Sequence, residues 1–170
     1  AREFHPYLQP IFDLGTGALI RQVALDASAA GVTFDNNAQW NRPGLLLQAG
    51  KLYIGFGGGP TGSQHEEDFL YHGWVLTYDA ETFALANAYC STPQHKGGGI
   101  WQAGAGLAAD AESLYVITGN GVLADVVKPP SAYPPTPGDH ENSIVKLPLT
   151  NPTYVPKTPG GPLTYFDDRA

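Results

Sequence analysis

Three groups of residues in this chain have the types and spacing for chemistry. Gly97-Gly98-Gly99 lead through Ile100 to Trp101. Three glycines let backbone approach a flat partner closely, so Trp101 reads either as an aromatic platform for a ligand or as a packing residue above a tight turn. Asn120 stands between Gly119 and Gly121, where its amide either offers oxygen to a cation or occupies a turn at positive φ. His65-Glu66-Glu67-Asp68 with His72 supplies imidazoles and carboxylates, ligands of zinc and other transition metals. Adjacent loop side chains rarely converge on one ion, however, and a solvated acidic loop needs none. Asp139-His140-Glu141 repeats that composition on a shorter span. His5 and His95 have no partner nearby in sequence and read as surface residues. Cys90, the sole cysteine, has no activating neighbours and reads as a small apolar residue at a strand end.

Other machinery is missing. No Ser, His and Asp set sits in a nucleophile-elbow context, no P-loop occurs, and Gly55-Phe56-Gly57-Gly58-Gly59 lacks the following helix of a dinucleotide site. The formal charge of −7, with no run of Lys or Arg, argues against nucleic acid as a partner. No apolar stretch approaches the roughly 20 residues that span a bilayer. Neither a basic n-region nor an apolar h-region opens the chain, and its lack of Met reads as processing or excision.

These residues must be positioned by strands. Short β-branched and aromatic runs bounded by Gly, Pro, Asn and Asp predict strands near 9–14, 19–25, 44–48, 51–56, 73–79, 84–90, 106–109, 113–118, 143–147 and 163–166. No segment holds a helical period. The pattern of 44–57 recurs at 106–119, an offset of 62, and Phe12 to Leu19 is echoed by Tyr78 to Leu85, an offset of 66. Repeats of this length in an all-strand context predict an all-β fold, a β-propeller of four-stranded antiparallel blades.

The expected layout is a blade end at 9–25, a full blade at 44–90 and a third blade at 106–167 interrupted by a proline-rich loop at 121–139, with a second proline-rich tail on the surface. Five prolines between 129 and 137 exclude a central strand there. Asp79-Ala80-Glu81-Thr82 and Asp13-Leu14-Gly15-Thr16-Gly17 are the expected equivalent turns. Tyr53, Trp74, Tyr78 and Tyr115 are expected in the core, with Arg42 and Gln102 toward a central channel. A ring typically takes about 4 to 8 blades and this chain supplies roughly two and a half. The expected partners are therefore the remaining blades, from the same or another chain.

Asn41-Arg42-Pro43-Gly44-Leu45-Leu46-Leu47, Tyr71-His72-Gly73-Trp74-Val75-Leu76-Thr77-Tyr78-Asp79-Ala80, Gly97-Gly98-Gly99-Ile100-Trp101-Gln102 and Val116-Ile117-Thr118-Gly119-Asn120-Gly121 follow one another in order. Together they resemble the pyrroloquinoline quinone (PQQ) propeller superfamily, the quinoprotein alcohol dehydrogenase-like repeats, in a bacterial and fungal branch without an assigned reaction. The resemblance implies a secreted or periplasmic protein. It also implies that Gly98, Gly99 and Trp101 form the floor under PQQ, and that Asn120 with Asp68 or Glu67 binds calcium. Asp68 stands where those dehydrogenases place a Glu, His72 replaces a basic residue, and their adjacent-cysteine pair is missing. The expected function is accordingly a non-catalytic binding or scaffold propeller, with PQQ and calcium or no cofactor as equal expectations. The alternative is a PQQ- and calcium-dependent oxidoreductase acting on an alcohol or sugar.

Overall fold

The computed structural model describes residues 7–58, 71–121 and 139–149. Glu67, Asp68, His65, His5, the proline-rich stretch 122–138 and the strand expected at 163–166 lie outside them.

The centre is an antiparallel sheet of β6 (Leu46–Gln48), β7 (Lys51–Gly58), β8 (Trp74–Asp79) and β9 (Leu85–Cys90), with β5 (Gln39–Trp40) pairing the far end of β7. Alternation along each strand makes both faces apolar. Ile54, Phe56, Trp74, Leu76, Tyr78 and Cys90 face one way with Leu25 and Phe34; Tyr53, Val75 and Tyr89 face the other with Ile100, Leu107, Leu114 and Val116. Register pairs stack like on like, Ile54 against Leu76 and Phe56 against Trp74. Burying each such side chain contributes about 1.5–3 kcal/mol. The β6–β7 hairpin closes through Ala49 (φ 49°) and Gly50 (φ 70°), the double positive φ that a two-residue turn needs to match strand twist.

On one side lie two hairpins, β1 (Leu8–Phe12) with β2 (Leu19–Ala24), and β3 (Ser28–Ala29) with β4 (Val32–Thr33). The 66-residue echo turns out to be one hydrogen-bond pattern used twice. Asp13 Oδ1 accepts from Thr16 N and Oγ1 at 2.7 Å each, and Asp79 Oδ1 accepts from Thr82 N and Oγ1 at 2.9 Å each. The fifth residue of each turn, Gly17 (φ 70°) or Phe83 (φ 57°), takes positive φ. Lys51 Nζ at 2.7 Å and then the Thr82 groups hold the Asp79 carboxyl far below the usual carboxylate range; Thr16 lowers Asp13 in the same direction.

On the other side lies a three-stranded sheet, β10 (Ala108–Ala109), β11 (Ser113–Ile117) and β12 (Ile144–Pro148). The 62-residue repeat sits against itself: Gly44 bridges Gly106 in parallel, Gly44 N donates to Ala105 O at 3.1 Å, and Gln48 Nε2 donates to Asp110 O at 3.3 Å.

Tyr115 corrects the expected core. Tyr53, its repeat equivalent, is covered by the third sheet, whereas Tyr115 is half-buried, with its hydroxyl donating to Asp110 Oδ2 at 2.7 Å and Lys146 Nζ 5.5 Å from its ring centre. Leu114 and Val116 face the central sheet, so alternation turns Tyr115 to the opposite face. β3, β4 and β5 leave no signal in the sequence, because strands of two residues carry no readable alternation.

Candidate functional site

Trp101 lies where three strand ends meet. A Cβ placed on Gly57, at the end of β7, would come 2.6–2.9 Å from its Cε3, Cζ3 and Cδ2; on Gly99, 2.8–3.0 Å from Cε2, Cζ2 and Nε1; on Gly119, 2.8 Å from Nε1 and 3.0 Å from Cδ1. Those atoms run round the indole perimeter, so the ring lies flat in a cradle that only glycines leave open. Tyr71 meets it edge-on at 5.7 Å.

The loop carrying Trp101 is fixed by backbone. Gly97 (φ 90°) and Gly98 (φ 63°) take the left-handed region that glycine adopts without strain. Gly97 N donates to Tyr71 O at 2.7 Å, and Gly73 N to Gly97 O at 2.9 Å. Ser91 Oγ donates to Gly98 O at 2.8 Å and Thr92 Oγ1 to Gly97 O at 2.9 Å. Gly98 N donates to Asn120 O at 2.8 Å, and Gly119 N to Gly99 O at 2.8 Å. The fold thus gathers Gly98, Gly99, Trp101 and Asn120 at one place. Asn120 does so through its carbonyl and at ordinary φ, not in the positive-φ turn expected for it; its side chain is exposed. Glu67 and Asp68 lie outside the described residues.

Arg42 covers the open face of Trp101. Its guanidinium carbon lies 5.1 Å from the Trp101 ring centre and 5.6 Å from that of Trp40, the geometry of cation–π attraction. Trp40 closes β5 and Arg42 follows two residues on, the spacing at which side chains of an extended chain share a face. That spacing was the available signal for this triad.

A planar quinone would need the Trp101 face that Arg42 occupies, and calcium would need several hard oxygens. Among the described residues Asn120 alone of the expected ligands is present, and no group of three or more His, Cys, Asp or Glu converges. With Arg42 where it stands, that face of Trp101 is covered against a planar quinone; the expected calcium ligands Glu67 and Asp68 lie outside the described residues. Gln102, at positive φ (39°), donates from Nε2 to Gly106 O at 3.0 Å.

The histidines depart most from expectation. His95 is no unpartnered surface residue: Nδ1 lies 2.6 Å from Asp139 Oδ2, and the Asp139 side chain is fully buried. His72 is buried, with Nδ1 2.8 Å from Thr92 O and Nε2 3.0 Å from Lys96 Nζ. Burial and then the Lys96 charge push its pKa down. Burial does the same to His140, beside Asp139. Cys90 packs at the end of β9 as expected, its thiol pushed up to about 12 by burial.

No protein-family model matches the chain, and no curated protein matches it. Among solved structures it is similar to the quinohemoprotein alcohol dehydrogenase ADHIIG of Pseudomonas putida HK5, with TM-score 0.50 and 24% identity. The match covers 86% of this chain and 23% of that one. The likeness shows the fold: an all-β chain of the kind found in quinoprotein β-propellers, spanning under a quarter of that structure's length.

Proposed function

We propose that this chain is part of a PQQ-like propeller that serves binding or scaffolding rather than oxidation. One observation carries the reading: Arg42 lies over the face of Trp101 on which a cofactor ring would stack. A guanidinium sandwiched between two indoles, with Trp40 40% exposed, makes a recognition surface for a ligand or partner rather than a closed cofactor chamber.

The apolar surfaces left open support the remaining blades as partners. Leu107 is buried at 4%, whereas its repeat equivalent Leu45 is 49% exposed; Tyr53 is buried at 2%, whereas on the matching face Tyr115 is only half-buried and Ile117 is 58% exposed. Each open face corresponds to one that a neighbouring sheet covers elsewhere in the chain. On this reading 44–90 is a full blade, 9–25 the end of one and 106–167 the start of another. A secreted or periplasmic location goes with it, checked by fractionating the producing cells.

PQQ- and calcium-dependent oxidation of an alcohol or sugar is the second reading, favoured by the glycine cradle under Trp101. The complete protein, titrated with PQQ and calcium chloride, decides between them. Under the binding reading indole fluorescence shows no saturable quenching and no dye-linked alcohol oxidation follows. Saturable quenching abolished by Trp101→Leu, together with turnover, would overturn it.

A further inference from the structure

Away from Trp101, a cleft of about 630 Å³ opens between the β3–β4 hairpin and the loop 91–97, within the usual range for small-molecule sites. Thr33, Asp35, Gln39, His72, His95 and Lys96 line it, with Val32 and Pro93 its main apolar side chains. Such a wall suits a hydrophilic ligand.

Two supported groups face this space. Asp139, fully buried and also accepting from Gln94 N at 2.9 Å, takes Nδ1 of His95 and leaves Nε2 on the other edge of a ring whose side chain is 35% exposed. His72 places Nδ1 against a carbonyl, so Nε2 is the acceptor and Lys96 the donor. One N–H of Lys96 is thereby used, on an uncharged partner. The other two are left for a ligand, and no carboxylate of the described residues lies within ion-pair distance of Nζ. The loop bearing both side chains is clamped by Ser91, Thr92 and Gly97 hydrogen bonds, which preorganises them.

We propose that this cleft binds a polyhydroxylated monocarboxylate, a sugar acid, with Lys96 Nζ taking the carboxylate, His95 Nε2 accepting from a hydroxyl because Nδ1–H is given to Asp139, and Thr33 and Asp35 meeting the remaining hydroxyls. A single ammonium sharing the cleft with Asp35, in a chain of formal charge −7, suits a monoanion better than a phosphate dianion. The site is separate from the Trp101 face and does not depend on the function proposed for it.

Calorimetric titration of the complete protein at fixed ionic strength tests this with sodium D-glucuronate, D-glucose and inorganic phosphate. Glucuronate should bind saturably at one per chain, and glucose and phosphate at least about tenfold more weakly. Lys96→Met should weaken glucuronate about tenfold, as expected for losing a charge-assisted hydrogen bond, and should also lower the thermal transition somewhat, because it removes the donor to buried His72 Nε2. Lys96→Gln should show the same loss, and Trp101→Leu should bind as the parent does. Absence of saturable glucuronate binding, glucose or phosphate binding as tightly, unchanged affinity in both Lys96 variants, or loss of binding in Trp101→Leu would each overturn the proposal.

Discussion

Gly57→Ala tests whether Trp101 truly lies in its cradle. The new Cβ would stand 2.6, 2.7 and 2.9 Å from three indole carbons, where carbon atoms prefer about 3.5–4.0 Å. The indole must yield by nearly an ångström. Overpacking of this kind costs about 1–3 kcal/mol, and because Trp101 is only half-buried and can tip outward, the lower half of that range is expected, about 1–2 kcal/mol. Gly57 is not at positive φ, so the backbone itself does not resist alanine. In a Trp101→Ala background the clashing atoms are gone, and Gly57→Ala should become neutral or stabilise by up to about 0.5 kcal/mol through strand preference. The coupling energy between the two sites is therefore about 1–2.5 kcal/mol. Equilibrium urea unfolding of the four proteins, followed by far-ultraviolet circular dichroism so that loss of an indole does not alter the probe, measures it. An equal cost of Gly57→Ala in both backgrounds would refute the cradle.

Three further predictions concern the scaffold. The pKa of His72 is lowered on folding, first by burial and then by Lys96, so the native state binds fewer protons than the unfolded one; stability should be complete above about pH 6.5 and fall as pH drops below it toward the folded value. His140 adds to the same slope. His72→Gln should flatten that slope between pH 7.5 and 5.5 in urea midpoints, and an unchanged slope would sink the assignment. Cys90, 5% exposed with its thiol at about 12, should resist a thiol-specific dye at pH 8 until denaturant is added, whereas rapid labelling of native protein would contradict its burial. Ala49→Gly should stabilise the chain by about 0.5–1 kcal/mol, because Ala49 holds φ 49° at an exposed turn and the left-handed region costs a non-glycine residue about 1–2 kcal/mol; a lowered thermal midpoint would argue against that conformation.

The strands of the central sheet were legible because β7 and β8 are runs of six residues or more carrying aromatic and branched side chains and end at glycine or aspartate. The Asp79 turn was legible because Asp and Thr recur at the same separation at Asp13, and the hydrogen bonds repeat with the letters. Trp101 announced itself through the glycines before it. Arg42 was legible only as a channel candidate: that it would cap Trp101 depends on Asn41 Nδ2 bonding Gly55 O at 2.8 Å and Pro43 O at 3.2 Å, which steers the chain between β5 and β6. His95 and Asp139 were beyond reach. They lie 44 residues apart, and nothing local to either predicts the other; the pairing exists only once the third sheet has brought Asp139 beneath the 91–97 loop. Tyr115 misled because the sequence shows that it repeats Tyr53 but not that the two faces differ in what covers them.

The contact of Gly44 with Ala105 and Gly106 has a meaning for how such a chain grows. A segment running from 44 to 105 begins with the surface that docks onto whatever follows its own end. It therefore carries both halves of its own joint, as a brick carries both stud and socket. Copying that segment in tandem would create each new junction from contacts already present, without any fresh interface having to arise by mutation. Lengthening by duplication is then the easiest change open to this architecture. A single substitution at the joint, by the same logic, would be felt at every copy at once.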